Sequence, residues 1–161
     1  AVTSFQAFHW FNFSKSLREF NRVLKPTGQL ALSWNYWDIQ DPFTSSYAAL
    51  IDEATRKNVR RVEPYAGFTG KIKKLRVGLL WKFRHLPYFK NVERHTFSLA
   101  EKMDVKGLIG CAQSQSYIDH TGPHWDELIK NIEELWDKNK PCRLMYRINV
   151  FTAKPVKKYP V

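Results

Sequence analysis

Residues 17–34, Leu17-Arg-Glu-Phe-Asn-Arg-Val-Leu-Lys-Pro-Thr-Gly-Gln-Leu-Ala-Leu-Ser-Trp34, constrain the fold more than any other stretch of the chain. Leu17, Phe20, Val23 and Leu24 recur at helical spacing and form one apolar face. Ser16 with Glu19 three residues on fits a capping box, and Ser14 is the competing cap. Lys25-Pro26 stops the helix, because a residue before proline avoids the α region. Gly28 supplies a permissive backbone for the turn that follows. Leu30-Ala-Leu-Ser-Trp34 is nearly continuous in apolar residues, the pattern of a parallel strand covered on both faces. A helix over 15–24 that packs back and feeds a strand over 29–34 is half of a βαβ unit, so the chain is read as α/β.

These residues also carry a resemblance. Glu19-x-x-Arg22-Val-Leu-Lys-Pro-x-Gly28, preceded by Ala7-Phe-His-Trp-Phe11, resembles class I S-adenosylmethionine (SAM)-dependent methyltransferases. The nearest group is the type 11 small-molecule enzymes, which include trans-aconitate methyltransferase-like proteins. Thr27 stands where that family has the first glycine of a pair. The resemblance covers residues 1 to 38, with weaker likeness at Ser114-Gln-Ser-Tyr-Ile118 and at the last strand. It implies the C-terminal portion of a Rossmann-like methyltransferase sheet, strands four to seven, with the last strand antiparallel between strands five and six. It also implies a helical cap insert over residues 42–91 within a single domain, 1–161. By the same resemblance strands one to three, the glycine-rich cofactor loop and the acidic ribose-binding residue lie upstream of this chain.

The length of 161 residues suits one domain with a real core. A content of 43% hydrophobic and 15% aromatic residues excludes a disordered chain. No apolar run approaches the roughly 18 residues of a membrane span. The start, Ala-Val-Thr-Ser-Phe, has neither the basic region nor the apolar core of a secretory signal, so a cytoplasmic protein is expected. Cys111 and Cys142 form no C-x-x-C and are read as two free, buried thiols. The net charge is +11, and residues 56–94 carry twelve Lys or Arg against Glu63 and Glu93. Such a region binds nucleic acid or acidic lipid, or else it is a solvated, helical insert surface or a face that steers an anionic substrate. No nucleic-acid motif accompanies it, so the second reading is preferred. The oligomeric state is not legible.

In an open α/β sheet, ligands sit beyond the carboxyl ends of the strands. The aromatic run 8–13 falls there, after a first strand over 1–7. Methyl transfer is an in-line displacement whose chemistry the cofactor brings; the protein must align the partners and keep the site dry. The resemblance places Gln6, Ala7 and Phe8 beside SAM, and His9, Trp10, Trp34, Trp37 and Tyr117 around a small-molecule acceptor, a carboxylic acid among the candidates. For His9 two roles are open: accepting a proton from the substrate, or shaping the pocket as a hydrogen-bonded ring at a strand end. Trp34 and Trp37 either line the pocket or pack under the next helix. Tyr117 either bonds a substrate oxygen or the backbone.

Further along, Thr44 or Ser45 caps a helix over 46–57 with Tyr47, Leu50, Ile51 and Ala54 inward. Residues 92–99 alternate like a strand, and Asp104 caps a helix to 112. Pro123 opens the clearest helix, with Trp125, Leu128, Ile129, Ile132, Leu135 and Trp136 on its core face. His120 and His124 are four apart, but Gly122-Pro123 between them and the lack of a third ligand argue against a metal. Residues 144–153 form the last strand. Two rival readings stay open: an inactive fragment without the cofactor loop, and a basic accessory module that binds nucleic acid or an anionic surface.

Overall fold

The computed structural model describes residues 1–57, 85, 87–115 and 118–157. Tyr117 and the basic residues between 58 and 84 lie outside that set. The described elements are β1 (Val2–Phe5), a 3-10 turn (Phe8–Trp10), α1 (Phe13–Val23), β2 (Leu30–Trp37), α2 (Pro42–Lys57), β3 (Phe89–Met103), α3 (Val105–Gln113), α4 (Pro123–Asn139) and β4 (Cys142–Pro155). These strands form a sheet in the order β1-β2-β4-β3. β1 and β2 run parallel, Val2 opposite Leu30 and Phe5 opposite Ser33, with α1 as the crossover. β4 runs against both its neighbours. Thr96 bonds Asn149, while the Val156 amide reaches Tyr88. The Trp34 ring meets Phe151, while the Asp38 amide reaches Met145. In each case one number rises as the other falls. The mixed α/β sheet with its last strand antiparallel between the second and third is the arrangement the resemblance implied.

α1 starts earlier than its serines suggest. Its cap is Asn12, whose side-chain oxygen accepts from the Lys15 amide at 3.1 Å. Asn12 has an extended backbone directly after the aromatic turn, and asparagine caps as well as serine. The Ser16 amide is already bonded to the Asn12 carbonyl, which leaves Ser16 inside the first turn. Glu19 pairs instead with Arg22 at 2.7 Å, both side chains well exposed, a pair that contributes little. Leu17 and Leu24 are buried and Phe20 partly so, but Val23 lies half in solvent. The Lys157 ammonium meets the carbonyls of Asn21 and Arg22, opposing the negative end of the helix. The Gly28 amide closes the turn on the Lys25 carbonyl at 2.8 Å. A Cβ at Gly28 would stand 2.9 Å from that same oxygen. Gly28→Ala is therefore expected to lower unfolding free energy by about 1–3 kcal/mol, read from the urea midpoint.

The described residues divide into two compact units. The first holds Ala1–Asn35, β3 as far as Phe97 and β4 from Ile148 on. Its core is Phe8, Leu17, Leu24, Leu30, Leu32, Trp34, Phe89 and Phe151. Ser4 lies in this unit, buried on β1, and its hydroxyl has no hydrogen-bond partner among the described residues. A buried unbonded hydroxyl costs about 1–3 kcal/mol. Ser4→Ala is thus expected to raise the melting temperature slightly rather than lower it; a clear loss would reveal a partner.

The second unit holds Tyr36 through α2, then Ser98–Arg147. Its core joins Tyr47, Ile51 and Ala54 of α2 to Leu108 and Ala112 of α3, Trp125, Leu128 and Ile132 of α4, and Leu144 of β4. α2 begins at Pro42, four residues before the expected start, because Asp41 is the cap: its carboxylate takes the Thr44 amide at 2.8 Å and the Thr44 hydroxyl at 2.7 Å. Asp104 caps α3 as expected, through the Gly107 amide at 2.7 Å. Pro123 opens α4, whose expected face is buried or half-buried. Cys111 and Cys142 are both free thiols; Cys142 is buried as expected, whereas Cys111 is only partly so. β3 is longer than its alternating pattern, and residues 93–102 are exposed on both faces. An edge strand has one neighbour, so alternation in its sequence need not mark a buried side.

Candidate functional site

At the carboxyl end of β1 the chain turns on Gln6, which has a left-handed backbone with φ of 51°. That region disfavours a residue with a Cβ by about 1–2 kcal/mol. Two bonds hold it. The Gln6 amide donates to the Ser33 carbonyl at 2.9 Å, and the side-chain amide donates to the Asn35 carbonyl at 3.0 Å. Both acceptors belong to β2, so the turn is fastened to the end of the neighbouring parallel strand. Ala7 then enters the 3-10 turn, closed by the Trp10 amide on its carbonyl at 3.0 Å. Strained backbone at a strand end is a recurring mark of ligand sites.

The aromatic run splits into an anchor and a rim. Phe8 is 1% exposed, ringed by Phe11, Phe13, Phe20 and Trp34 at centroid distances of 5.4–6.5 Å. Trp34 is 5% exposed and meets Phe151 edge-on at 5.9 Å. Its indole N–H donates to His9 Nδ1 at 3.3 Å. The His9 ring is half-buried, and burial lowers its basicity. Trp10 stands 5.1 Å from His9 and is 63% exposed. Phe8 and Trp34 therefore shape the site from the core. His9 and Trp10 make its rim, while Phe8 is enclosed and its carbonyl is taken by the Phe11 amide.

Gln6, Ala7, Phe8, His9, Trp10 and Trp34 thus come together in the first unit. Trp37 belongs to the second, where it packs edge-on against Tyr47 at 5.2 Å. Tyr117 lies outside the described residues. Sequence reasoning missed a polar cluster in the second unit. One Arg147 nitrogen donates to Asp38 at 2.8 Å and to Gln40 at 3.1 Å. An arginine set between Tyr146 and Ile148 in the middle of the last strand was the available signal. Burial raises both the Cys111 and Cys142 thiols and pushes Tyr146 up to about 12, so these groups stay protonated at neutral pH. His120 packs on Trp125 at 5.0 Å and His124 lies 3.8 Å from Glu127. Among the described residues no helix is long and apolar enough to cross a membrane.

Residues 1–32, which run from β1 through α1 into β2, match the family described as methyltransferase domain. An uncharacterised methyltransferase of Schizosaccharomyces pombe is 44% identical over 48 residues, 30% of this chain and 19% of that protein. A methyltransferase-like protein of the same yeast is 39% identical over 46 residues, 29% of this chain and 18% of that protein. The matches thus span about a fifth of the length of these curated relatives. A candidate type II methyltransferase from Anaeromyxobacter dehalogenans superposes over 95% of this chain and 61% of its own, with 16% identity and a TM-score of 0.38.

Proposed function

We propose that this chain forms part of an enzyme that transfers a methyl group from SAM to a small-molecule acceptor, with a carboxylic acid as the preferred class. The carrying observation is a coincidence of place: the segment that matches methyltransferase domains is the one that builds the strained Gln6 turn and its aromatic rim. The residues fit such a cofactor. Main-chain groups of the Gln6–Phe8 turn stand at the strand end, and aromatic rings suit a sulfonium cation. When bound, SAM supplies an electrophilic methyl group. Gln6, Ala7 and Phe8 would border it, and His9, Trp10 and Trp34 would shape the acceptor side. The chain's own contribution is to orient the partners and exclude water.

The test is calorimetric titration of SAM into the gene product that contains this chain, followed by transfer of isotopically labelled methyl to a panel of carboxylic acids. One binding site and a labelled ester are expected. A folded, monodisperse sample that neither binds SAM nor labels any acceptor would overturn the reading. Because Trp10 is largely exposed, Trp10→Ala should leave the fold intact yet lower turnover about tenfold or more, as a lost positioning contact does. Full turnover would remove Trp10 from the site.

A further inference from the structure

The bond between Trp34 and His9 decides what the imidazole can do. An indole nitrogen is a donor only, so the ring nitrogen facing it must be an acceptor. His9 Nδ1 therefore carries no proton, and the neutral ring carries its proton on Nε2. The donor is fixed: Trp34 is nearly buried, with Phe8 at 6.5 Å and Phe151 at 5.9 Å packed against its ring. A proton on Nδ1 would set N–H against N–H and leave a buried donor unpaired. Burial acts in the same direction, and the Trp34 and Trp10 rings that face His9 carry no charge.

We infer that His9 is locked by Trp34 as the neutral Nε2–H imidazole, acts as a positioning residue rather than a general base, and so fits an acceptor that arrives ionised, a carboxylate. The acceptor half of this inference rests on the methyl-transfer reading. Whatever Nε2 touches, it touches as a donor. With a carboxylate, one oxygen forms the bond to the methyl carbon, the carbon–sulfur bond breaks, and its electron pair stays on sulfur. An anion and a sulfonium give a neutral ester and a thioether, and no proton moves. An alcohol or phenol would have to lose a proton that this ring cannot take at Nε2.

The lock is read by long-range proton–nitrogen NMR of the histidine rings in the full chain, with His9→Gln identifying the His9 signals. An unprotonated Nδ1 and a protonated Nε2 are expected, persisting below the ordinary histidine range. Trp34→Phe should release Nδ1, mix the tautomers and move the titration midpoint towards the ordinary value. A protonated Nδ1, or an ordinary titration unchanged by Trp34→Phe, overturns the lock; if that variant does not fold, the wild-type spectrum decides alone. For the acceptor half, His9→Gln should lower the rate of carboxylate methylation by the same factor across about pH 6–8. Loss of a pH-dependent limb in that variant, or preference for alcohols over acids, overturns it. A locked ring in a protein that methylates nothing sinks the methyl-transfer reading and the acceptor half with it, and leaves the lock standing.

Discussion

Phe8→Ala is expected to cost about 3–5 kcal/mol of folding free energy, the range of a buried aromatic truncated to a methyl group. The side chain is 1% exposed, and four other aromatic rings lie within 6.5 Å of its centroid. Two of them, Phe13 and Phe20, come from α1, and Trp34 comes from β2. The cavity would therefore open where the helix, the strand and the turn share their contacts. Urea denaturation should show a midpoint lowered by about 1–5 M for a urea slope of about 1–3 kcal/mol/M, with the slope itself little changed. Phe5→Ala is the control. Phe5 is 65% exposed on the same stretch, and its removal should stay within about 0.5 kcal/mol of the parent. A Phe8→Ala loss below 1 kcal/mol would mean that the surrounding rings collapse into the space, and that Phe8 does not hold the turn on which His9 and Trp10 sit.

The parts of this fold that could be read in advance are those whose cause is local. The stop at Lys25-Pro26, the Gly28 turn, the Asp104 cap and the stripe from Trp125 to Trp136 follow from neighbours within a few residues, and each is observed. The place of the last strand came from resemblance, since pairing between segments more than a hundred residues apart leaves no periodicity. The cap of α1 was misplaced because two serines fit a local rule, while Asn12 won through the extended turn before it. The site divides the same way. That an aromatic run follows the end of the first strand was legible, because apolar strands and aromatic runs are patterns. The chemistry of His9 was not: it depends on Trp34, 25 positions away, and on which ring nitrogen meets the indole. The left-handed turn at Gln6 was equally hidden, since nothing in a glutamine announces a positive φ, and only the two bonds to β2 explain it.

Tyr47 offers the second large effect, and two substitutions separate its causes. The side chain is 0% exposed in the core of the second unit, and its hydroxyl donates to the Leu108 carbonyl at 2.7 Å across 61 residues of chain. Trp37 meets the ring edge-on at 5.2 Å, an arrangement worth about 0.5–1.5 kcal/mol beyond area alone. Tyr47→Phe keeps the ring and removes the donor, so about 1–2 kcal/mol should be lost, the cost of leaving one buried acceptor short of a bond. Tyr47→Ala removes the ring as well and should lose about 3–5 kcal/mol for the cavity plus the bond. The difference between the two variants then measures the packing of the ring in the second unit's core without the hydrogen bond. Equal losses would place the whole effect in the bond and make the ring dispensable, which a fully enclosed aromatic should not be. If the alanine variant does not fold, Tyr47→Leu retains part of the volume, and its loss should exceed that of Tyr47→Phe.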